Sequence, residues 1–387
     1  MSTLLVEQNP LLDKRVNQNP HQVGIVALNN LSEVAEPFSV NNETEYQIDY
    51  LSFNDLEKSY IEHRNLDAER KKCGILKFIK DGQEITDLTA YNAAPPIREI
   101  GMVSNTEKPY FILSVRTERR EDEKESETIL FRAESAFATE WEQINDESIK
   151  SIKGQDPKTS KIGENLFVSV VEVEEVLNSD EKTTHLKWWQ KFYKGPNIRN
   201  LELIGRGPDG MKNITPVEMT NGEIIVFTRP QNPDDEKMGG LGQIGTVTIK
   251  SIDEIKNQEL LQVDNAPLIN TRFVSGEEWG GVGQATALKY GLIGIIGHIA
   301  KLPKNYCTIS GIYDPKSRKL INIKVESMAD EFSGVISKTP EHLNISYGTG
   351  ITEPDNNGNV MLFQGVGDVA TGYKIIKDPF VGLRLLE

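Results

Sequence analysis

Two of the dipeptides that place a charged side chain directly before a proline stand at the border of a strand-like run beside Gly-rich or polar sequence. Asp156-Pro157 stands just ahead of a strand-like run, and Arg229-Pro230 ends another. Proline bars its predecessor from the right-handed helical region, which predicts an extended backbone at Asp156. An aspartate held that way can be aimed as a general acid, or it can simply make an Asp-Pro turn. Arginine at a strand end beside Gly-rich sequence suits an oxyanion clamp, because its planar fork grips phosphate or carboxylate at two points. A surface salt bridge is the alternative. Trp279-Gly280-Gly281 sets a large ring beside two residues that allow close backbone approach, as a sugar-stacking platform requires. A core tryptophan fits the same residues. His298 lies inside the apolar run 291–300, where a packed core histidine is the alternative to a ligand.

Other chemistries are poorly supplied. His21, His63, His185, His298 and His342 are dispersed, and neither Cys73 nor Cys307 has a neighbouring cysteine, so no metal site is expected. There is no GxSxG elbow for a serine nucleophile. Gly240-Leu241-Gly242-Gln243-Ile244-Gly245 matches GxGxxG formally. A dinucleotide site needs a helix after that motif, whereas the following TVTIKSI alternates like a strand. A Gly-rich loop between strands is the better reading.

The elements that must position these residues are mostly short β-like runs. They include FILSVRT (111–117), TILFRA (128–133), NLFVSVVEVEEV (165–176), EIIVFTRP (223–230) and GTVTIKSI (245–252). GLIGIIGHIA (291–300), CTISGIYD (307–314), KLINIKVES (319–327), LNISYGTGI (343–351) and VMLFQGVGD (360–368) continue the series. Gly, Pro, Asn and Asp bound most of them, and Asp81-Gly82, Asn221-Gly222 and Asn357-Gly358 are hairpin signals. The charge run TERREDEKESE (117–127) reads as a solvated hairpin loop. The best helix candidate is 53–72, with Asn54 as its cap. The chain is therefore expected to be all-β. At 387 residues it is too long for one sandwich. Five propeller blades of roughly 60 residues, each with about four strands, would use ~300 of them. This predicts a five-bladed propeller over 86–387, with 1–85 as an N-terminal extension or extra module.

Composition narrows the partners. There are 58 acidic against 43 basic residues, a net charge of −15. That excludes broad binding to nucleic acid or anionic membrane, both of which need a basic surface. A small anion sees only its own pocket and is not excluded. No basic-then-apolar leader opens the chain, and the ten-residue run 291–300 is too short to span a bilayer. With 2 cysteines and no disulfide pattern, a cytoplasmic protein is expected. The four Asn-x-Ser/Thr matches then count as chance. A homo-oligomer is compatible with the sequence.

Taken in order, YNAAPP (91–96), SVRTERREDEKESE (114–127), QDP (155–157), GPDGMKNI (207–214), GEIIVFTRPQ (222–231), GGLGQIG (239–245), EEWGG (277–281), GIIGHIA (294–300), SYGTGI (346–351), GVGD (365–368) and DPF (378–380) form a specific set. The set resembles the kinetoplastid mannosyltransferase/phosphorylases of β-1,2-mannan turnover and their bacterial relatives. Those are five-bladed propellers related to mannoside phosphorylases and to fructosidase/arabinanase-like glycosidases. The resemblance covers about Tyr91 to Phe380. It implies inverting mannosyl transfer without metal or organic cofactor. Inorganic phosphate, mannose-1-phosphate or a sugar nucleotide would be a substrate alongside a short mannoside. Asp156 would be the general acid. Arg229, Lys212 and His298, with Arg116 nearby, would bind phosphate. Asn92, Glu118, Gln155, Gln231, Trp279 and Asp368 would line the sugar site. An inverting hydrolase needs a second carboxylate to deprotonate water, whereas phosphate needs only a cationic clamp.

The chain departs from the family at three places. Lys212-Asn213-Ile214-Thr215 stands where the family often has Lys-Asp-Ile-Arg, and Val282-Gly283-Gln284 follows Trp279-Gly280-Gly281 where Asn and Glu are usual. Ser169-Val170-Val171-Glu172 replaces Gly-Gly-Val-Glu. Two rival functions follow. One is a glycoside hydrolase on the same propeller, with Glu118, Glu172 and Glu218 as second carboxylates to inspect. The other is a non-catalytic sugar-binding propeller.

Overall fold

The structure, a computed structural model, describes residues 52–86, 88–99, 110–119, 125–147, 149–177, 184–269 and 276–385. The 1–51 part of the expected extension and residues 120–124 of the charge run lie outside these. All described residues belong to the compact unit Tyr50–Glu387.

Strands dominate. All ten β-like runs are strands, and the three hairpin signals sit at turns between paired strands, with positive φ at Gly82, Gly222 and Gly358. The helix differs from expectation. It runs over Phe53–His63 and is capped by Ser52, not Asn54: Ser52 Oγ accepts from Asp55 N, and the Asp55 carboxylate accepts from Ser52 N. This reciprocal capping box satisfies two backbone donors that an Asn54 cap would leave open. Asn65 caps a separate helix, Leu66–Arg70, so the pattern breaks at Arg64.

Among the described residues the strands form four sheets. One runs Gln155–Ile162, Asn165–Leu177, Thr184–Gly195, Glu202–Arg206. The next holds Thr215–Glu218, Ile224–Thr228 and Gly245–Ile249, and another Glu278–Ala287, Ile293–Lys301, Asn305–Asp314 and Lys319–Ser327. The twelve-stranded sheet joins two groups, an antiparallel one led by Ser346–Ile351 and one containing Tyr110–Glu118, in which Lys77–Lys80 pairs parallel with Glu140–Gln143. Their junction is a single parallel pair, Ala370 with Ala90.

Apolar clusters cement successive sheets. Phe167, Phe192, Val226 and Ile249 fill one seam, and Phe227, Val282, Ile295 and Tyr313 the next. Val115, Phe131, Trp141 and Phe363 link the two groups of the large sheet. The leading strands Tyr110–Glu118, Gln155–Ile162, Thr215–Glu218, Glu278–Ala287 and Ser346–Ile351 pack on one another in that sequence. Phe53 and Leu56 bury the first helix against Ile299, Ile309 and Val325.

A buried charge network ties the early segment to the late strands. Lys374 Nζ, 1% exposed, donates to Tyr60 Oη at 2.7 Å, Glu326 O at 2.8 Å and Glu331 Oε2 at 2.9 Å. It also pairs with Glu69 Oε2 at 2.8 Å. Ser327 Oγ donates to Glu331 and Arg64 pairs with it, so the carboxylate is fully engaged.

Candidate active site

Asp156 sits where the Gln155–Ile162 strand slips register against its neighbour, between Gln155 and Lys158. The extended backbone expected before Pro157 is not what forms: Asp156 has φ 51°. The bulge needs one residue in the left-handed region, and aspartate tolerates it better than most. Such strain is held by surroundings and re-aims a side chain. Here it turns the carboxylate inward, where Asp156 is 7% exposed. Asn92 Nδ2 donates to its Oδ1 at 2.6 Å, and Arg116 Nη1 donates to the same atom at 3.3 Å. Asn92 also has positive φ, and Gly365 lies so close that a Cβ there would overlap Asn92 Oδ1. The GVGD glycine therefore makes room for the residue that orients Asp156.

Arg116 lies over the Tyr91 ring at 4.3 Å and bridges two carboxylates. Besides Asp156 it bonds Glu118 Oε2 through Nε and Nη2 at 3.2 and 2.9 Å. Glu118 further accepts from Ser126 at 2.6 Å and Lys338 at 2.9 Å. Lys338 Nζ is 3.9 Å from Asp368 Oδ2. Burial pushes the Asp368 carboxyl up from its ordinary range, against the pull of Arg116 and Lys338.

The other cations differ. Arg229 is 4% exposed and makes no hydrogen bond or ion pair among the described residues; its Nε is buried and unpartnered. Gly242 explains how the guanidinium fits, since a Cβ there would stand 2.7 Å from Arg229 Nε. The second glycine of the GxGxxG match thus clears space for an arginine, and the strand Gly245–Ile249 follows it. Lys212 likewise has no hydrogen bond or ion pair among the described residues. Burial lowers its pKa, aided by Arg229 and Arg116 and opposed by Asp156. His298 is buried, stacks 4.4 Å from Tyr347, and leaves Nδ1 unpartnered. Burial and then Arg229, Lys158 and Lys212 hold it well below its ordinary value, so the imidazole is neutral. Burial alone would raise the pKa of Asp156, yet Arg116, Lys212, the Asn92 bond and Lys158 keep it below the usual value. Asp156 is a carboxylate in a field of cations.

The structure therefore brings Asp156, Asn92, Arg116, Glu118, Lys212, Arg229, His298 and Asp368 into one electrostatic neighbourhood. Trp279 borders it, buried and edge-on to Tyr306 with centroids 5.6 Å apart. Gln231 is drawn off to Leu241 O at 2.9 Å. Gln155 lines a separate small cavity with Ser126, Gly154 and Glu172. Of the carboxylates named for hydrolysis, Glu172 pairs with Lys191 at 2.7 Å and Glu218 accepts from the Gly163 amide. Among the described residues no group of three His, Cys, Asp or Glu could hold a metal ion, and no helix is long and apolar enough to cross a membrane.

Several residues were not visible as site residues in the sequence. Lys158 is buried, and its Nζ donates to Val282 O at 2.8 Å and Gly283 O at 3.1 Å. Tyr347 donates to Asn213 Oδ1 at 2.7 Å, which leaves Asn213 Nδ2 unpartnered beside Gly281. Nothing local flagged Lys158, Tyr306, Tyr347 or Lys338. The departures also gain a physical account. Gln284 bonds both backbone groups of Ile351 and staples two leading strands. Val282 and Gly283 supply carbonyls at the bulge between Val282 and Gln284.

The chain belongs to the family described as protein of unknown function (DUF1861), which it matches over residues 83–382. No curated protein matches it. Three solved structures share its fold. A GDP-Man-dependent mannosyltransferase from Leishmania mexicana has 23% identity and TM-score 0.69, over 87% of this chain and 97% of that one. A mannose phosphorylase from Leishmania mexicana, solved with a phosphate ion, has 23% identity and TM-score 0.67, over 84% and 93%. A hypothetical protein from Leishmania major has 24% identity and TM-score 0.65, over 84% and 95%. The structural likeness agrees with the resemblance carried by the ordered motifs.

Proposed function

We propose that this chain is a carbohydrate-active enzyme, a phosphorylase or mannosyltransferase of β-1,2-linked mannosides that works with inversion. Its strands would form a five-bladed propeller over 86–387, with the leading strands lining a central channel. One observation carries the reading: Arg229 is a buried guanidinium without a carboxylate partner, set with Lys212 and neutral His298 near Asp156. A buried unpaired charge costs several kcal/mol. A site that retains one is suited to a ligand of opposite charge. The fold relatives include a phosphorylase bound to phosphate and a nucleotide-sugar transferase. Both substrates present phosphate oxygens.

The cations also bear on the acid. By themselves they hold Asp156 ionised, which a general acid must not be. An arriving phosphate dianion weakens that field, and the glycoside that closes over the carboxyl removes it from water and then favours its protonated form. Arming of Asp156 would need both substrates, not the anion alone. Asn92 fixes the direction of Oδ1, and Asp156 passes its proton to the leaving oxygen, directly or through a sugar hydroxyl. Phosphate attacks the opposite face of the anomeric carbon. Sugar hydroxyls would bind Glu118, Asp368 and Asn92, with Trp279 and Tyr306 at the wall.

The test is release of phosphate from mannose-1-phosphate in the presence of mannose, by wild type and Asp156→Asn. Wild type should release phosphate, and the folded variant should be slower by about 10³-fold or more. Equal inertness towards phosphate, water and nucleotide-sugar acceptors would remove the catalytic reading. Hydrolysis has one specific observation in its favour, the raised pKa and loose pairing of Asp368. If water is the acceptor, Asp368→Asn should abolish turnover that needs no phosphate.

A further inference from the structure

Lys158 has no role in the mechanism above, and its setting is unusual for a lysine. Its side chain leaves the Gln155–Ile162 strand and reaches the Glu278–Ala287 strand of a different sheet. There it meets only backbone: Val282 O, which also accepts from Thr215 Oγ1 at 2.9 Å, and Gly283 O. No carboxylate lies within ion-pair distance of the amine among the described residues. An ammonium has three donors and an amine two. The two carbonyls satisfy the neutral form fully and leave the charged form with one hydrogen unused.

The titratable and charged groups facing Lys158 come from several elements. Asp156 is on its own strand, Lys212 on the loop before Thr215–Glu218, Arg229 after Ile224–Thr228, and His298 on Ile293–Lys301. Burial, then Arg229 and Lys212, bring the Lys158 amine down to about 7, with only Asp156 pulling the other way. A dianion placed among Arg229, Lys212 and His298 would reverse that balance. We propose that Lys158 is a further anion-binding residue of this site, and that it takes a proton from solvent as the anion arrives. The unused hydrogen of the ammonium would then face the anion, while the carbonyl bonds hold the side chain in place. The inference rests on the phosphate-using reading.

Sulfate is the probe of choice, because it stays a dianion across the pH range whereas phosphate titrates within it. Binding is followed by calorimetry on the full chain from pH 6 to 9. Wild-type affinity should be level below about 7 and fall above it by up to tenfold per pH unit, as one bound proton requires. At pH 8 the heat should depend on the buffer, reporting proton uptake. Lys158→Arg should bind sulfate without the pH slope. Lys158→Met should bind at least tenfold more weakly at pH 6. Should the methionine variant fail to fold for want of a donor to Val282 and Gly283, the wild-type slope and Lys158→Arg decide the matter. A flat wild-type profile, or a slope that survives in Lys158→Arg, overturns the proposal and hands the titration to Lys212 or another group. If Arg229→Met abolishes sulfate binding while Lys158→Met leaves it intact, only the role of Lys158 falls. If wild type binds neither sulfate nor phosphate, the phosphate-using reading falls with it.

Discussion

Two buried lysines define two kinds of region in this molecule. Lys374 has Tyr60, Glu69, the Glu326 carbonyl and Glu331 around its ammonium, and its pKa is raised because these carboxylates outweigh burial. Lys158 has two carbonyls and neighbouring cations, and its pKa falls to about 7. Burial is alike; the partners differ. A charge whose partners are built into the chain works for the fold, here by tying Tyr60 and Glu69 to the Ala370–Lys377 strand. A charge left without them is a standing cost that only a ligand removes. Arg229 and Lys212 fall on the same side of this divide as Lys158, while Arg116 stands between, shared by Glu118 and Asp156.

The comparison can be broken first at its stable end. Lys374→Met takes away the buried cation that Glu331 and Glu69 share, leaving Glu331 with Arg64 and Glu69 with Lys72, and removing one partner of a buried pair costs about 3–5 kcal/mol. Chemical denaturation should show that loss, while the KM for phosphate stays as in wild type. A shift in KM without a loss of stability would mean that the two regions are not separate.

Arg229→Met is the opposite case. Taking away a positioned donor to an oxyanion costs about 10²–10³ in turnover, roughly 3–4 kcal/mol of transition-state binding. Stability should hold or rise, since an unpaired buried charge is exchanged for an apolar chain of similar length. Added phosphate should raise the melting temperature of wild type and of Lys374→Met but not of Arg229→Met. A marked fall in stability of Arg229→Met would show that the guanidinium has a structural partner after all.

The sequence made the scaffold more legible than the site, and the reason is local. Strands paired on both sides, such as Asn165–Leu177 and Asn359–Val366, bury one or both faces in apolar seams, so many of their residues are β-branched or aromatic. The leading strands Gln155–Ile162 and Glu278–Ala287 read QDPKTSKI and EWGGVGQATA. Besides Ile162, Trp279 and Val282, their buried side chains include Asp156, Lys158, Thr159 and Glu278, with glycines that let neighbours approach. Those strands carry the candidate site, and for that reason they lack a strand-like pattern. Asp156 and Arg229 were visible because proline follows each. Lys158 was not, because a lysine two residues beyond an aspartate normally faces solvent, and its carbonyl partners are more than a hundred residues away in sequence.

A pH titration sharpens the contrast between the lysines. Lys158 has a lower pKa folded than unfolded, so above about 7 the unfolded chain binds the extra proton. Stability of the anion-free protein should rise with pH from 7 to 8.5, by at most about 1.4 kcal/mol per unit. Above that window the half-buried Cys73 thiol, raised to about 12, works the other way. Lys374, with its raised pKa, contributes no slope here. Saturating sulfate should flatten the rise, and the midpoint of denaturation at pH 7 and 8.5, with and without sulfate, measures it. A rise that persists in sulfate would mean that the titrating group lies outside the anion site.

The smallest effect isolates the space around Arg229 from its charge. Gly242 has φ 132°, and a Cβ there would press on Nε and Nη2 of Arg229 at 2.7 and 2.9 Å. Gly358 also has positive φ, 70°, but a Cβ there would meet nothing within 4 Å. Both Gly→Ala changes carry backbone strain of about 1–2 kcal/mol. Only Gly242→Ala should move the guanidinium, so only it should raise the KM for phosphate, by about tenfold, or ~1.4 kcal/mol. If Gly358→Ala shifts KM equally, strain alone weakens the site. If Gly242→Ala loses stability but keeps its KM, Arg229 has room to yield and its exact seat does not set anion affinity.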